Sequence, residues 1–306
     1  MIVKRAQIAA KSETTEGTAA TLTDTDAFLA SNVVWTPDTE IGKRPNVSSS
    51  LSQFAAVPGA RKATLSFDVE IKGSGVKGTA PELGVPLKAC GFSETVVSGA
   101  SVTYLPASTG ISSLTIALYN DGVIYKIWGA RGDAKFKTEK GKPGIISFTF
   151  TGADYSVTDG SMLNSVTYDS TVPPAFLSAS LLVDSYAALI GSAEFGLNNE
   201  VVLRDDVNTA SGYKSAVIAG RDPSLTFDPE MVLVATYDWF GKLRSGNEGS
   251  MTMTLGATVG NICTITAPKV QYVKVGLSDK SGLRSLGIDC QLNRNAGDDE
   301  LSIAFT

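Results

Sequence analysis

One stretch of this chain occurs twice, 160 positions apart, and that duplication constrains the fold more than any motif. Arg61-Lys-Ala-Thr-Leu65-Ser-Phe67-Asp68-Val-Glu70 returns as Arg221-Asp-Pro-Ser-Leu225-Thr-Phe227-Asp228-Pro-Glu230. The match runs backwards without a gap through Ala56-Val57 with Ala216-Val217, Val47 with Val207 and Arg44 with Arg204. It continues through Glu40 with Glu200, Leu29 with Leu189 and Ala27 with Ala187, to Asp24 with Asp184. Chance identity at a fixed offset is roughly one position in fifteen to twenty for average residue usage, and here it is about one in four. Common descent explains that; coincidence does not. Further on the offset falls to 138, with Gly122 matching Gly260, Ile124 Ile262, Ile127 Ile265, Gly144 Gly282 and Ser147 Ser285. The first copy therefore carries about 22 extra residues between 71 and 112. Two domains, 1–172 and 173–306, are expected, meeting at Val172-Pro-Pro174, and each is long enough to bury its own core.

Within each copy the apolar residues fall into short alternating runs. Leu65, Phe67, Val69 and Ile71 share one face of a predicted strand, and Ser66, Asp68, Glu70 and Lys72 share the other. Leu114–Tyr119 and Val123–Trp128 flank Asn120-Asp121-Gly122, a hairpin signal. Ala134–Thr138 and Ile145–Thr151 are joined by Gly141–Gly144, completing an antiparallel meander. The second copy repeats it: Ser250–Leu255 with Ile262–Ala267, then Val270–Gly276 with Leu283–Leu292. Pro81–Gly91 reads as a short helix ending at glycine, and Tyr237–Gly246 as its counterpart. The fold class is mainly β: two tandem antiparallel β-sandwich or barrel domains, each with a short flanking helix.

Composition removes several functions. A net charge of −5 argues against gripping nucleic acid by its phosphates. No run of eighteen apolar residues is present, and Met1–Ala6 does not read as a secretion signal. The absence of histidine takes away the usual general base and the commonest transition-metal ligand. Cys90, Cys263 and Cys290 form no CxxC pair and are expected to be buried free thiols. No enzyme is expected.

Individual motifs give way to plainer readings. Gly73-Ser-Gly75-Val-Lys-Gly78 fits G-x-G-x-x-G, but Thr79-Ala80-Pro81 follows where a dinucleotide site needs a helix, so a mobile loop is the better account. Arg131-Gly132-Asp133 is expected at a strand-to-strand turn, where Gly-Asp is ordinary. Asn46-Val-Ser48 matters as a glycosylation acceptor only on a secretory route. Asp298-Asp299-Glu300 lacks cation-binding spacing and reads as a solvated turn. Trp35, Trp128 and Trp239 read as core residues, not as sugar platforms. Asp68 with Glu70, and Asp228 with Glu230, could reach the separation of a glycosidase pair. Their presence in both copies favours a structural or surface-charge role, because a catalytic pair is rarely needed twice.

Several segments, in this order, resemble the major tail tube proteins of long-tailed bacteriophages in their two-domain version. They are Thr64–Glu70 with Ser224–Glu230, Thr79-Ala-Pro-Glu82, Leu87-Lys-Ala-Cys-Gly91-Phe92, Tyr125–Gly132, Ser147–Gly152 and Ala296–Phe305. The likeness covers nearly the whole chain and includes no catalytic signature or cofactor. It implies subunits joined edge to edge into an inner barrel, rings stacked into a hollow tube, and passage of DNA to the host. A duplicated chain would build a pseudo-sixfold ring as a homotrimer. The implied partners are further copies of the chain, tail tip or initiator proteins, terminator proteins, and the tape measure protein and DNA in the lumen, without sequence-specific binding and with no membrane. The implied location is the virion, after synthesis in the host cytoplasm. An acidic wall suits such a conduit, since DNA would stick to a basic one. On this reading Asp68, Glu70, Asp228 and Glu230 face the lumen. Lys72, Gly73, Ser74, Gly75, Val76, Lys77 and Gly78 touch the neighbouring ring. The rival readings are a β-sandwich adhesin or carbohydrate-binding virion protein and a carboxylate-dependent glycosidase.

Overall fold

A computed structural model describes residues 2–306. The first copy comprises β1 (Ala6–Ser12), β2 (Ala27–Phe28), β3 (Ser31–Gly42), β4 (Val57–Glu70), α1 (Gly84–Ala89), β5 (Phe92–Val97), β6 (Ser101–Pro106), β7 (Leu114–Asn120), β8 (Val123–Glu139), β9 (Ile145–Gly152) and β10 (Asp154–Asp159). The second comprises β11 (Ser180–Val183), β12 (Ser192–Gly196), β13 (Asn199–Asp205), β14 (Tyr213–Arg221), β15 (Ser224–Phe227), α2 (Trp239–Ser245), β16 (Gly249–Leu255), β17 (Cys263–Lys280), β18 (Leu283–Leu292) and β19 (Ser302–Phe305). The chain is mainly β and its pairings are antiparallel.

The pairings of one copy recur in the other. β4 lies between β3 and β9, as β15 lies between β12 and β18. β7 lies between β1 and β8, as β16 lies between β11 and β17. β10 pairs with the start of β8, and β19 with the start of β17. The β5–β6 hairpin belongs to the longer first copy alone, and β6 pairs across to β19.

Two sequence expectations change here. β8 and β17 are single long strands, so no turn separates Trp128 from Ala134 or Ala267 from Val270. Each passes from one sheet layer to the other instead. In β8 the passage falls at Gly129, where φ is 60° and a bulge interrupts the ladder with β7. A left-handed backbone there favours a residue without Cβ. Arg131-Gly132-Asp133 consequently lies inside a strand, not at a turn. The offset of 138 also fails across β18. Ser147 stands opposite Asp68, while Ser285 bridges to Glu230, so the matched pairs are Phe148 with Ile288 and Phe150 with Cys290. A bulge at Tyr272/Lys274 that β8 lacks contributes to the displacement.

The strand alternation places Leu65, Phe67 and Val69 in the core beside Phe148 and Phe150. Ring centroids in that group lie 5.5–5.9 Å apart. In the second copy Trp239 fills the equivalent space against Phe227, Tyr186, Tyr237 and Tyr272. Each fully buried aromatic of this size contributes roughly 1.5–3 kcal/mol. Trp239 is buried as expected, whereas Trp35 and Trp128 are only partly so. Lys72 departs from the predicted polar face, because β4 ends at Glu70 and the chain then turns Lys72 inward to Asp169. α1 and α2 match the predicted helices, and the Asp238 carboxylate caps α2 by accepting from the Gly241 N–H. The three cysteines are free and buried.

Candidate assembly interface

Backbone pairing carries one sheet through both copies. Its strand order is β3–β4–β9–β8–β12–β15–β18–β17, eight strands with the junction at β8–β12. At that junction Phe195 stands opposite Phe136 and Glu194 opposite Lys137. The side chains alternate, so one face joins the core and the other carries Asp68, Glu70, Lys135, Lys137, Glu139, Glu194, Thr226, Asp289 and Lys274.

Side-chain clamps lock the two copies together around the junction. Asn199, the first residue of β13, donates its amide to the Cys90 and Gly132 carbonyls at 2.7 and 2.9 Å, and its N–H to Asp133 at 3.0 Å. Burial pushes the Asp133 carboxyl above the usual carboxylate range. Arg131, itself buried, donates to the Ile111 and Ala216 carbonyls and pairs with Glu16 at 2.7 Å. Burial alone would raise the Glu16 carboxyl. Hydrogen bonds from Arg131 and Ser215 and the charges of Arg131 and Arg204 outweigh it and hold the group low. Arg221 grips Glu300 at 3.1 Å, Asp298 and the Ala107 carbonyl. Asp298 and Glu300 are thus committed to an arginine clamp, correcting the solvated-turn reading. Asp299 instead accepts N–H bonds from Asn295, Ala296 and Gly297. The sequence marks Arg131, Asp133, Asp298 and Glu300 as motif residues but not these clamps, because the partners that join the two copies lie far away along the chain.

The four singled-out carboxylates have unequal surroundings. Glu70 and Glu230 are exposed. Asp68 accepts from the Asn32 amide at 2.8 Å. Asp228 accepts from the Gly191 and Ser192 N–H groups and pairs with Lys280 at 2.7 Å. Burial works against its charge, but Lys280 and the two N–H donors win and hold its carboxyl below the usual range.

The 72–78 loop is tied to its own chain at its base. The Gly73 N–H donates to the Asn261 side chain at 2.8 Å, and the Gly75 N–H to the Gly260 carbonyl at 3.1 Å. A Cβ on Gly73 would overlap the Gly260 carbonyl oxygen, so this close approach requires glycine. Lys72 and Gly73 are buried, Ser74 and Gly78 half-buried, and Gly75, Val76 and Lys77 exposed.

Antiparallel sheets with one apolar and one polar face, joined through both copies, define a mainly-β protein. The chain matches the family model described as phage tail tube protein over residues 4–302, and it belongs to that family. It is a structural component of the virion that self-assembles into a tail tube. No curated protein matches it. Among the described residues no helix is long and apolar enough to cross a membrane.

Proposed function

We propose that three copies of this chain close into a pseudo-sixfold ring and that such rings stack into the conduit for DNA ejection. The carrying observation is the eight-stranded sheet that runs through both copies and, among the described residues, ends at β3 and at the second half of β17 in edges with no further strand beside them. A closed barrel of eight strands fills with its own side chains, whereas about 24 strands enclose an aqueous channel. At a strand spacing of about 4.8 Å and a tilt of 35–45°, that barrel is roughly 45–50 Å across between backbones. The two repeated units are 1–172 and 173–306, each supplying four strands. The tail tip, terminator and tape measure proteins are the partners at the ends and in the lumen.

The polar face of the sheet lines the channel on this reading. Asp68, Glu70, Asp228 and Glu230 look inward among lysines, giving a wall of both signs with an acidic excess. Such a wall repels a polyanion and releases it easily. The exposed tip of the 72–78 loop, Gly75–Lys77, reaches the adjacent ring. End-on class averages of the concentrated full chain in negative stain test the proposal. Rings or striated tubes with a central hole and threefold symmetry are expected. Compact particles that bind a glycan would overturn it in favour of an adhesin.

A further inference from the structure

The junction inside one chain specifies the junction between chains. Strand register fixes which residues of the two copies are equivalent. Leu65 corresponds to Leu225, and they stand opposite Phe150 and Cys290. Four residues back along those partners, Ile146 stands opposite Phe136 and Leu286 opposite Leu277. Phe136 of the first copy is therefore Leu277 of the second, and Phe195 of the second is Trp35 of the first.

Equivalent residues have opposite exposures, and the difference follows the junction. Phe136 is fully buried because β12 lies beside it, whereas Leu277 is 61% exposed. The β13–β14 arm lies across the first copy, leaving Ser215 and Ala216 each 0% exposed. Their counterparts Ala55 and Ala56 are exposed, on an outer arm formed by residues 39–61. That arm also exposes Ile41, Val47, Leu51, Phe54 and Val57. Among the described residues no strand lies beside the outer edge of β3 over 33–36 or of β17 over 276–279. Long exposed edges bordered by apolar side chains invite pairing with another chain.

We infer that the β3 edge of one copy, residues 33–36, pairs antiparallel with the β17 edge, residues 276–279, of a second copy of this chain, with Trp35 opposite Leu277 and Val34 opposite Ser278. The arm at 39–61 then lies across the second copy's C-terminal half, as the β13–β14 arm lies across the first copy within one chain. Leu277 gains the cover that Phe136 already has, and the polar face continues unbroken from chain to chain. The inference rests on the tube reading and specifies its register. Because the two edges sit at opposite ends of the sheet, roughly 34 Å apart along seven strand spacings of about 4.8 Å, one chain cannot satisfy both.

Paired cysteines test the register in the full chain. Val34→Cys with Ser278→Cys is expected to give disulfide-linked multimers ending at the trimer under mild oxidation. Val34→Cys with Lys274→Cys, about 13 Å out of register, is expected to stay unlinked. Leu277→Glu should weaken self-association at least tenfold by sedimentation and leave the monomer's melting temperature unchanged. Rings or tubes that form without the 34–278 link, or that link 34–274 equally well, would overturn the register and leave the tube reading standing. A chain that stays monomeric and unlinked at every concentration would remove both.

Discussion

Phe136 and Phe195 stand opposite each other across the β8–β12 junction, both fully buried, so the two copies share one core. A single hydrophobic cluster runs through that contact from the Phe67–Phe148–Phe150 group to the Trp239 group. The junction is therefore part of the protein's stability, not a loose seam between independent units. Phe136→Ala should destabilise the chain by about 3–5 kcal/mol, through lost burial and a residual cavity. Chemical denaturation measures this; a loss below about 1 kcal/mol would show that the copies are not coupled there.

Arg131 anchors the arm from the second copy, and its partners are arranged around its charge. Arg131→Met should cost about 3–5 kcal/mol, because it leaves the Ile111 and Ala216 carbonyls without their donor and takes from Glu16 its nearest cation, with Ser215 and Arg204 remaining. Glu16→Gln should cost less, since the amide still accepts a hydrogen bond and Glu16 is less buried. Equal losses in equilibrium unfolding would contradict that ordering.

Asp228 gives a pH signature. Its folded carboxyl is held below the ordinary value, so the stabilisation is present above the unfolded carboxylate pKa and is lost as pH falls through the folded one. Asp228→Asn should therefore cost about 1–2 kcal/mol at neutral pH, discounted because Lys280 is half exposed. The difference from the parent should begin to narrow below about pH 4 and close only once the pH is below the depressed folded value. Glu70→Gln, at an exposed site, should change stability by less than about 0.5 kcal/mol. Denaturation curves across pH 3–8 decide both; a difference for Asp228→Asn that persists in acid would mean the ion pair is not its cause.

Gly73 touches the Gly260 backbone too closely for a side chain. Gly73→Ala should cost about 1–3 kcal/mol and open the 72–78 loop to proteolysis. An unchanged melting temperature together with unchanged cleavage would show that the loop is not anchored by this contact.

The thiols should be silent in the folded protein. Burial pushes all three upward, Cys263 to about 12, and takes them out of reach of a bulky reagent. Aromatic disulfide titration at pH 8 should count no reactive thiol before unfolding and three after it. A fast-reacting thiol in the native state would reveal local opening around the end of α1, β17 or β18.

The duplication, the class of fold, the alternation of β4, both helices and the family likeness were legible in the sequence. Those rest on local chemistry: period-two alternation, glycine turns and identity at a fixed offset. It did not determine that β8 and β17 run unbroken between layers, because a bend at Gly129 resembles a turn when only neighbours are visible. It misread Arg131-Gly132-Asp133 and Asp298-Asp299-Glu300 for the same reason, since the Ala216 carbonyl that Arg131 grips and the Arg221 and Ser108 that engage Asp298 lie 77 to 190 residues away. Which edges are joined and which stay open follows from the folded arrangement and not from local chemistry. Strand pairing depends on what the rest of the chain brings alongside. Identical positions in two copies thus end buried in one, at Phe136 and Ala216, and bare in the other, at Leu277 and Ala56.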